Sequence, residues 1–259
     1  MTMLHSLIVL VLCAQPNAEE IRLIAHRGGV VDEQRIENNL PAIREAIQRG
    51  YWMLEVDIRE SKDGRLVVHH DEDFKRFYDD SHKVAELDWD EIRRLKSRPG
   101  GLRPLEFGEF AAACGNKLRL MLDTKEPEHD PRFFASMLET LRQNGLLRNA
   151  FVIGTDQSRS YFLDKAKVGL DRTALNAAVN AGEDVKKRYF LFEHGRDLDE
   201  PTVRLAQGLG VPVVASVNVF HYPIADHKRQ ADADIQRLRK LGVTYFQIDS
   251  VYEPYCTYE

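Results

Sequence analysis

From Ile21 onward, short apolar runs alternate with amphipathic stretches, and this alternation constrains the fold more than any other feature of the chain. The apolar runs predict strands at Ile21–Ala25, Met53–Ile58, Leu66–His69, Leu118–Asp123, Phe151–Gly154, Thr173–Asn176, Val211–Val217 and Tyr245–Asp249. Between them, helices are predicted at Leu40–Arg49, Asp90–Lys96, Phe107–Cys114, Arg132–Asn144, Arg159–Ala166, Thr202–Leu209 and Ala231–Leu241. Arg49-Gly50 and Lys240-Leu241-Gly242 supply helix stops, a basic last turn followed by glycine. Strands joined by helices call for a parallel sheet. Eight strands with no two-half repeat favour a closed (β/α)8 barrel over an open sheet, and 259 residues suit such a barrel as one domain. Asp71–Glu106 is too long and charged for a plain loop and reads as an excursion after the third strand. In Asn176–Leu198 the run Tyr189-Phe-Leu-Phe competes with Thr173–Asn176 for the place of the sixth strand. Few residues follow Asp249, so the last helix is expected to be reduced.

The net charge of −5, with 43% hydrophobic residues, describes a globular chain without the basic surface that nucleic-acid binding requires. Cys13, Cys114 and Cys256 have no paired spacing, which excludes a disulfide framework and a zinc knuckle. The run Leu7–Ala14 is too short for a bilayer core that needs about 20 residues, so no membrane span is expected. Its length suits the apolar region of a secretory signal, with Ala14 or Ala18 before the cleavage point. This predicts a signal peptide over 1–18, a barrel domain over 19–259, and a secreted or periplasmic protein. No Lys or Arg precedes the run, and a buried N-terminal element of a cytoplasmic protein is the alternative. The oligomeric state is not specified by the sequence.

Polar residues collect at the C-terminal ends of the predicted strands, where barrels keep their sites. His26-Arg27-Gly28-Gly29 follows the first strand, its glycines allowing a sharp turn. Glu55 and Asp57, two apart on a strand, share a face. Two crowded carboxylates repel unless a cation lies between them, and oxygen-only ligation suits Mg²⁺ or Ca²⁺. Asp123 can complete the set, and Lys125 on the same face is a point charge for a phosphate. His26, with His69 or His70, offers a pair whose pKa range suits general acid–base work on a phosphodiester. Glu37-Asn38 adds an acid and an amide. His194, His221 and His227 lack ligand spacing and read as surface histidines, and Asp130-Pro131 as a helix start.

In order, His26-Arg27-Gly28, Glu37-Asn38, Ala46, Gly50, Glu55-Val-Asp57, Lys62-Asp63-Gly64, Val67-Val68-His69-His70-Asp71, Asp123-Thr-Lys125, Val217-Asn218 and Ile248-Asp249 resemble the glycerophosphodiester phosphodiesterase family. The resemblance is dense over Ile24–Asp71 and weaker to Asp249. It implies a TIM barrel, one divalent cation (Ca²⁺ or Mg²⁺), and hydrolysis of a small-molecule glycerophosphodiester to sn-glycerol 3-phosphate and an alcohol. By position it implies His26 and His70 as the acid–base pair, and Glu55, Asp57 and Asp123 as metal ligands. Arg27, Lys125, Glu37 and Asn218 are the implied substrate-binding residues, with Asp249 orienting its neighbours. His70 is preferred to His69 because it directly precedes the acid of the motif. Three positions depart from the family pattern: Asn39 replaces Thr, Asp123 replaces Glu, and Ala215 stands where a tryptophan is expected to wall the pocket. Two other readings stay open. One is a phospholipase D-like enzyme that releases a cyclic phosphate from lysophospholipid or sphingolipid, with Phe74, Phe77 and Tyr78 available to an acyl chain. The other is a non-catalytic phosphate- or lipid-binding barrel.

Overall fold

A computed structural model describes residues 20–126 and 128–257. The predicted signal 1–18, with Cys13, lies outside the described residues. Eight parallel strands form the barrel: β1 (Arg22–Ala25), β2 (Met53–Glu60), β3 (Arg119–Thr124), β4 (Phe151–Val152), β5 (Lys167–Leu170), β6 (Tyr189–His194), β7 (Val213–Val217) and β8 (Tyr245–Ile248). Each pairs with the next, β2 running from Met53↔Arg119 to Ile58↔Thr124 along β3. The ring closes where β1 pairs with β8, Arg22↔Tyr245 through Ala25↔Ile248. Eight helices alternate with the strands: α1 (Leu40–Gln48), α2 (Phe107–Cys114), α3 (Pro131–Gln143), α4 (Asp156–Phe162), α5 (Arg172–Asn180), α6 (Glu200–Gly208), α7 (His227–Lys240) and the five-residue α8 (Glu253–Thr257). The expected (β/α)8 TIM barrel with a reduced last helix is the architecture found. No helix among the described residues is long and apolar enough to cross a membrane.

Two strand assignments need correction. The predicted third strand is not a stave of the barrel. Leu66–Val68 folds back antiparallel on the end of β2 (Ile58↔Val68, Glu60↔Leu66), and Leu105–Glu106 pairs antiparallel with it in turn. The Asp63-Gly64 dipeptide makes the reversal, with Gly64 at φ 78°. Thr173–Asn176, the predicted sixth strand, lies inside α5, which starts where the Asp171 side chain accepts from Ala174 N. The strands there are Lys167–Leu170 and the competing Tyr189 run.

Alternation along the staves divides the core. Leu54, Val56, Ile58, Leu120, Leu122, Val217 and Ile248 face outward into the shell of helices. Ile24, Met53, Met121, Phe151, Phe190 and Val214 point inward and fill the lower barrel. Glu55, Asp57 and Asp123 stand on the inward face above that plug, so the site has an apolar floor.

The excursion between β2 and α2 carries a core of its own, with Val67, Phe74, Val84 and Ile92 buried and Tyr78, Leu87, Trp89 and Leu95 packed on them. Phe74 and Tyr78 therefore belong to that small core, and Phe77 lies under the Arg76 guanidinium, 4.4 Å from its ring. This packing takes up the residues that the phospholipase D-like reading left available to an acyl chain.

Candidate functional site

The loop after β1 sets the geometry. Arg27 sits in the left-handed region at φ 55°, followed by Gly28 at 75° and Gly29 at 144°. A Cβ on Gly28 would lie 2.7 Å from Asn38 Oδ1, and one on Gly29 would lie 2.4 Å from the Ala42 carbonyl. The loop therefore packs flush against α1 and turns the Arg27 backbone N–H inward, to donate to Glu55 Oε2 at 2.7 Å. Asn38, also left-handed at φ 54°, donates from Nδ2 to Asp57 Oδ2 at 2.7 Å. Asn39 caps α1, its Oδ1 accepting from Leu40 N at 2.8 Å, a role that Thr can fill equally. That departure leaves the site unchanged.

Glu55, Asp57 and Asp123 each bring an oxygen to one place, all within 4.8 Å of one another. Lys125 Nζ lies 2.6 Å from Asp57 Oδ1 and 2.5 Å from Asp123 Oδ2. Burial pushes Glu55 well above the carboxylate range, and the Asp57 charge adds to it. Burial raises Asp123 too, against the opposing pull of Lys125. Asp57 is also buried, yet the Lys125 ammonium overcomes burial and brings it down to about 2. Lys125 is held above the lysine range because the three carboxylates outweigh its burial. Fully ionised, three carboxylates against one ammonium leave two negative charges, the complement of one divalent cation. The all-oxygen donor set fits a hard cation such as Mg²⁺ or Ca²⁺. An aspartate at 123 reaches the cluster as well as the expected glutamate would.

Both predicted histidines face this cluster across a cavity of about 350 Å³ that they line with Arg27, Glu55, Asp123 and Lys125. His26 Nδ1 lies 2.7 Å from Asp249 Oδ1, and His70 Nδ1 lies 2.8 Å from Asp71 Oδ1. A carboxylate at Nδ1 fixes the Nδ1–H tautomer and leaves Nε2 as the reactive nitrogen. His70 Nε2 is 3.2 Å from Arg27 Nη2. Glu37, His70 and Asp71 form a second close group, but guanidinium groups already occupy it. Arg27 donates to Glu37 at 2.9 Å, and Arg76 to Glu37 and Asp71, each at 2.6 Å. Arg76 is a residue that sequence reasoning missed. His69 is buried in the excursion, Nε2 2.8 Å from the Asp73 carbonyl and ring against Phe74, and His70 is the one of the two that lines the cavity.

The opposite wall departs further from expectation. Asn218 lines the cavity as predicted, fully buried, its Nδ2 without a partner among the described residues. Ser216 Oγ lies 2.6 Å from both Asn218 Oδ1 and Gln247 Oε1. Ala215 is buried in the outer core, so strand alternation turns position 215 away from the cavity. The expected gap in the pocket wall is therefore absent, and Phe192 and Phe220 supply aromatic surface there. His194 and His221 line the same cavity with ring centroids 3.9 Å apart; His194 is exposed, as read, whereas His221 is buried, which corrects its surface reading. His227 is partly buried, with Nδ1 2.8 Å from the Tyr252 hydroxyl. Asp249 accepts from Val219 N as well as holding His26, tying β8 to the loop that carries His221.

Residues 26–144 match the profile of the Glycerophosphoryl diester phosphodiesterase family. The chain is similar to "Glycerophosphodiester phosphodiesterase 1" of Rattus norvegicus, 38% identical over 77 residues, 30% of this chain and 23% of the relative. A "Glycerophosphodiester phosphodiesterase" of Caldanaerobacter subterraneus subsp. tengcongensis is 30% identical over 116 residues, 44% of this chain and 43% of the relative. The match thus spans only about a quarter to under half the length of these curated relatives. Among solved structures, a glycerophosphodiester phosphodiesterase from Parabacteroides distasonis superposes with a TM-score of 0.69 at 18% identity, covering 91% of this chain and 96% of that one. An Oleispira antarctica phosphodiesterase, solved in complex with the product sn-glycerol-3-phosphate, gives 0.70 at 18% identity over 90% and 96%. The motif residues gathered on one barrel rim thus go with a segment, residues 26–144, that is similar to the glycerophosphoryl diester phosphodiesterase family.

Proposed function

We propose that this chain hydrolyses small glycerophosphodiesters to sn-glycerol 3-phosphate and an alcohol. The observation that carries the reading is the pair of aspartate-anchored histidines, His26 and His70, facing one cavity beside a buried carboxylate cluster. Glu55, Asp57 and Asp123 would hold the divalent cation. When bound, it supplies Lewis-acid neutralisation of charge on the phosphate. Arg27 and Lys125 contribute fixed positive charge around the phosphate oxygens. One histidine takes a proton through Nε2 from the attacking nucleophile as the new P–O bond forms; that nucleophile is water, or the glycerol 2-hydroxyl, in which case water then opens the cyclic phosphate. The other gives its Nε2 proton to the departing alcohol oxygen as the old P–O bond breaks. Asp249 and Asp71 stabilise whichever imidazolium forms. Glu37, between the Arg27 and Arg76 guanidinium groups, keeps Arg27 turned toward His70.

The test is a coupled assay for sn-glycerol 3-phosphate released from glycerophosphocholine, first with EDTA and then with Ca²⁺ or Mg²⁺ restored. Release that stops with EDTA and returns with either ion is expected. No release with either ion would overturn the reading and turn attention to lysolipid substrates and a cyclic product. We further propose export from the cytoplasm, supported by the apolar run Leu7–Ala14 before small residues. An intact Met1 on the purified protein would count against it.

A further inference from the structure

The loop after β7 carries a ring that the reaction scheme does not use. Four rings follow one another along the cavity wall: His26 to Phe220 at 6.0 Å, Phe220 to His221 at 4.3 Å, and His221 to His194 at 3.9 Å between centroids. Phe220 is the outermost, 66% exposed, and His221 lies buried behind it. The backbone N–H of Asn218 donates to His221 Nδ1 at 3.2 Å. A nitrogen that accepts carries no proton, so the neutral ring has its proton on Nε2. That nitrogen has no hydrogen-bond partner among the described residues, and the residue lines the cavity.

We propose that His221 is a specificity-determining residue, its Nε2–H donating to a hydroxyl oxygen of the substrate's glycerol moiety. The inference rests on the reaction class proposed above. Three observations support it. The ring is pre-set, tilted against His194 with centroids 3.9 Å apart and fixed through its own carbonyl, which accepts from Arg196 Nη1 at 2.5 Å. A donor held in place loses little freedom on binding. No carboxylate contacts His221 as Asp249 and Asp71 contact His26 and His70, and burial beside His194 and Arg196 lowers its pKa to about 4. The ring is therefore neutral at working pH, a donor suited to a hydroxyl rather than a proton carrier. Finally, Asn218 Nδ2 is a second N–H on the same wall without a protein acceptor. Two such donors select for acceptor oxygens beyond those of the phosphate, and a glycerol moiety carries them.

The experiment compares His221→Phe, which keeps a ring against His194 but removes the N–H, with His221→Gln, which restores a donor. Should the phenylalanine variant fail to fold, His221→Leu, which also removes the N–H, replaces it. Glycerophosphocholine and bis(4-nitrophenyl) phosphate, which has no glycerol hydroxyl, serve as the two substrates. Loss of one neutral hydrogen bond should raise KM for glycerophosphocholine roughly ten-fold with kcat nearly unchanged. KM for bis(4-nitrophenyl) phosphate should not move, and His221→Gln should recover part of the loss. Equal KM increases on both substrates would assign the donor to the phosphate and overturn the proposal. A fall in kcat alone, or no change, would overturn it as well. Calorimetric titration with sn-glycerol 3-phosphate and with inorganic phosphate repeats the comparison without turnover. If wild type binds both but does not hydrolyse, the reaction class fails, while a selective loss of glycerol phosphate binding in His221→Phe still supports the recognition role.

Discussion

At the scale of single residues, the two histidines are defined by their place on the cavity wall and by what holds their Nδ1 atoms. His26 and His70 each have an aspartate there, at 2.7 and 2.8 Å. Replacing either by alanine should lower kcat by about 10²–10⁴-fold. Metal affinity, read by calorimetry, should be largely retained, because neither is among the three clustered carboxylates. Near-normal turnover in either variant would end the two-histidine scheme. Asp249→Asn is the sharper probe, since an amide can hold the ring in the wrong tautomer. A kcat loss of the same order, with little change in melting temperature, is expected. The motif made His26, His70 and the carboxylates legible in the sequence. Arg76, His194 and His221 were not legible: Arg76 comes from within the excursion, His194 ends a stave whose place the sequence left open, and His221 sits in the turn after β7. One signal was available for His221: it lies three residues after Asn218, within reach of a single tight turn.

At the scale of elements, the staves were readable where an apolar run marks them, as in β2 and β7, and unreadable at β5, which has little such run. β5 offers only Lys167–Leu170, and the adjoining helix has enough β-branched and apolar residues to imitate a strand. The reversal after β2 was legible in principle, because Asp63-Gly64 between two apolar runs is a hairpin signal. It was outweighed by the expectation that every strand continues the barrel. The junction of β1 with α1 is the least tolerant of these connections. Gly29→Ala would force a Cβ against the Ala42 carbonyl 2.4 Å away while φ stays at 144°. A stability loss of about 2 kcal/mol or more is expected in denaturant titration. Activity should fall with it, because the same loop aims the Arg27 amide at Glu55.

At the scale of the whole molecule, the buried polar groups should make stability depend on pH. His221 has its pKa lowered from 6.5 to about 4, by burial first and by His194 and Arg196 next. Its depressed folded value means that the unfolded chain takes up the proton first. The contribution is fully present above pH 6.5 and is lost as pH falls to about 4. Denaturant midpoints of wild type and His221→Phe should therefore converge as pH is lowered from 7.5 to 4.5. A gap that stays constant over that range would show that the ring does not titrate as described.

The two histidines proposed as the acid–base pair stand on two differently built parts of the fold. His26 rises from the barrel ring, but His70 is carried by the excursion, whose small core of Val67, Phe74, Val84 and Ile92 is separate from the barrel's. Besides the Leu66–Val68 ladder on β2, the lobe is held over the rim by polar ties such as Arg76 on Glu37 and Arg59, which donates to the His70 carbonyl at 2.7 and 3.0 Å. Cooperative units with little buried surface open first on heating. The lobe can therefore swing away while the ring stays closed, taking one half of the proton machinery with it. Inactivation should precede melting: turnover should fail reversibly several degrees below the loss of far-ultraviolet ellipticity, and coincident transitions would mean that lobe and barrel unfold together.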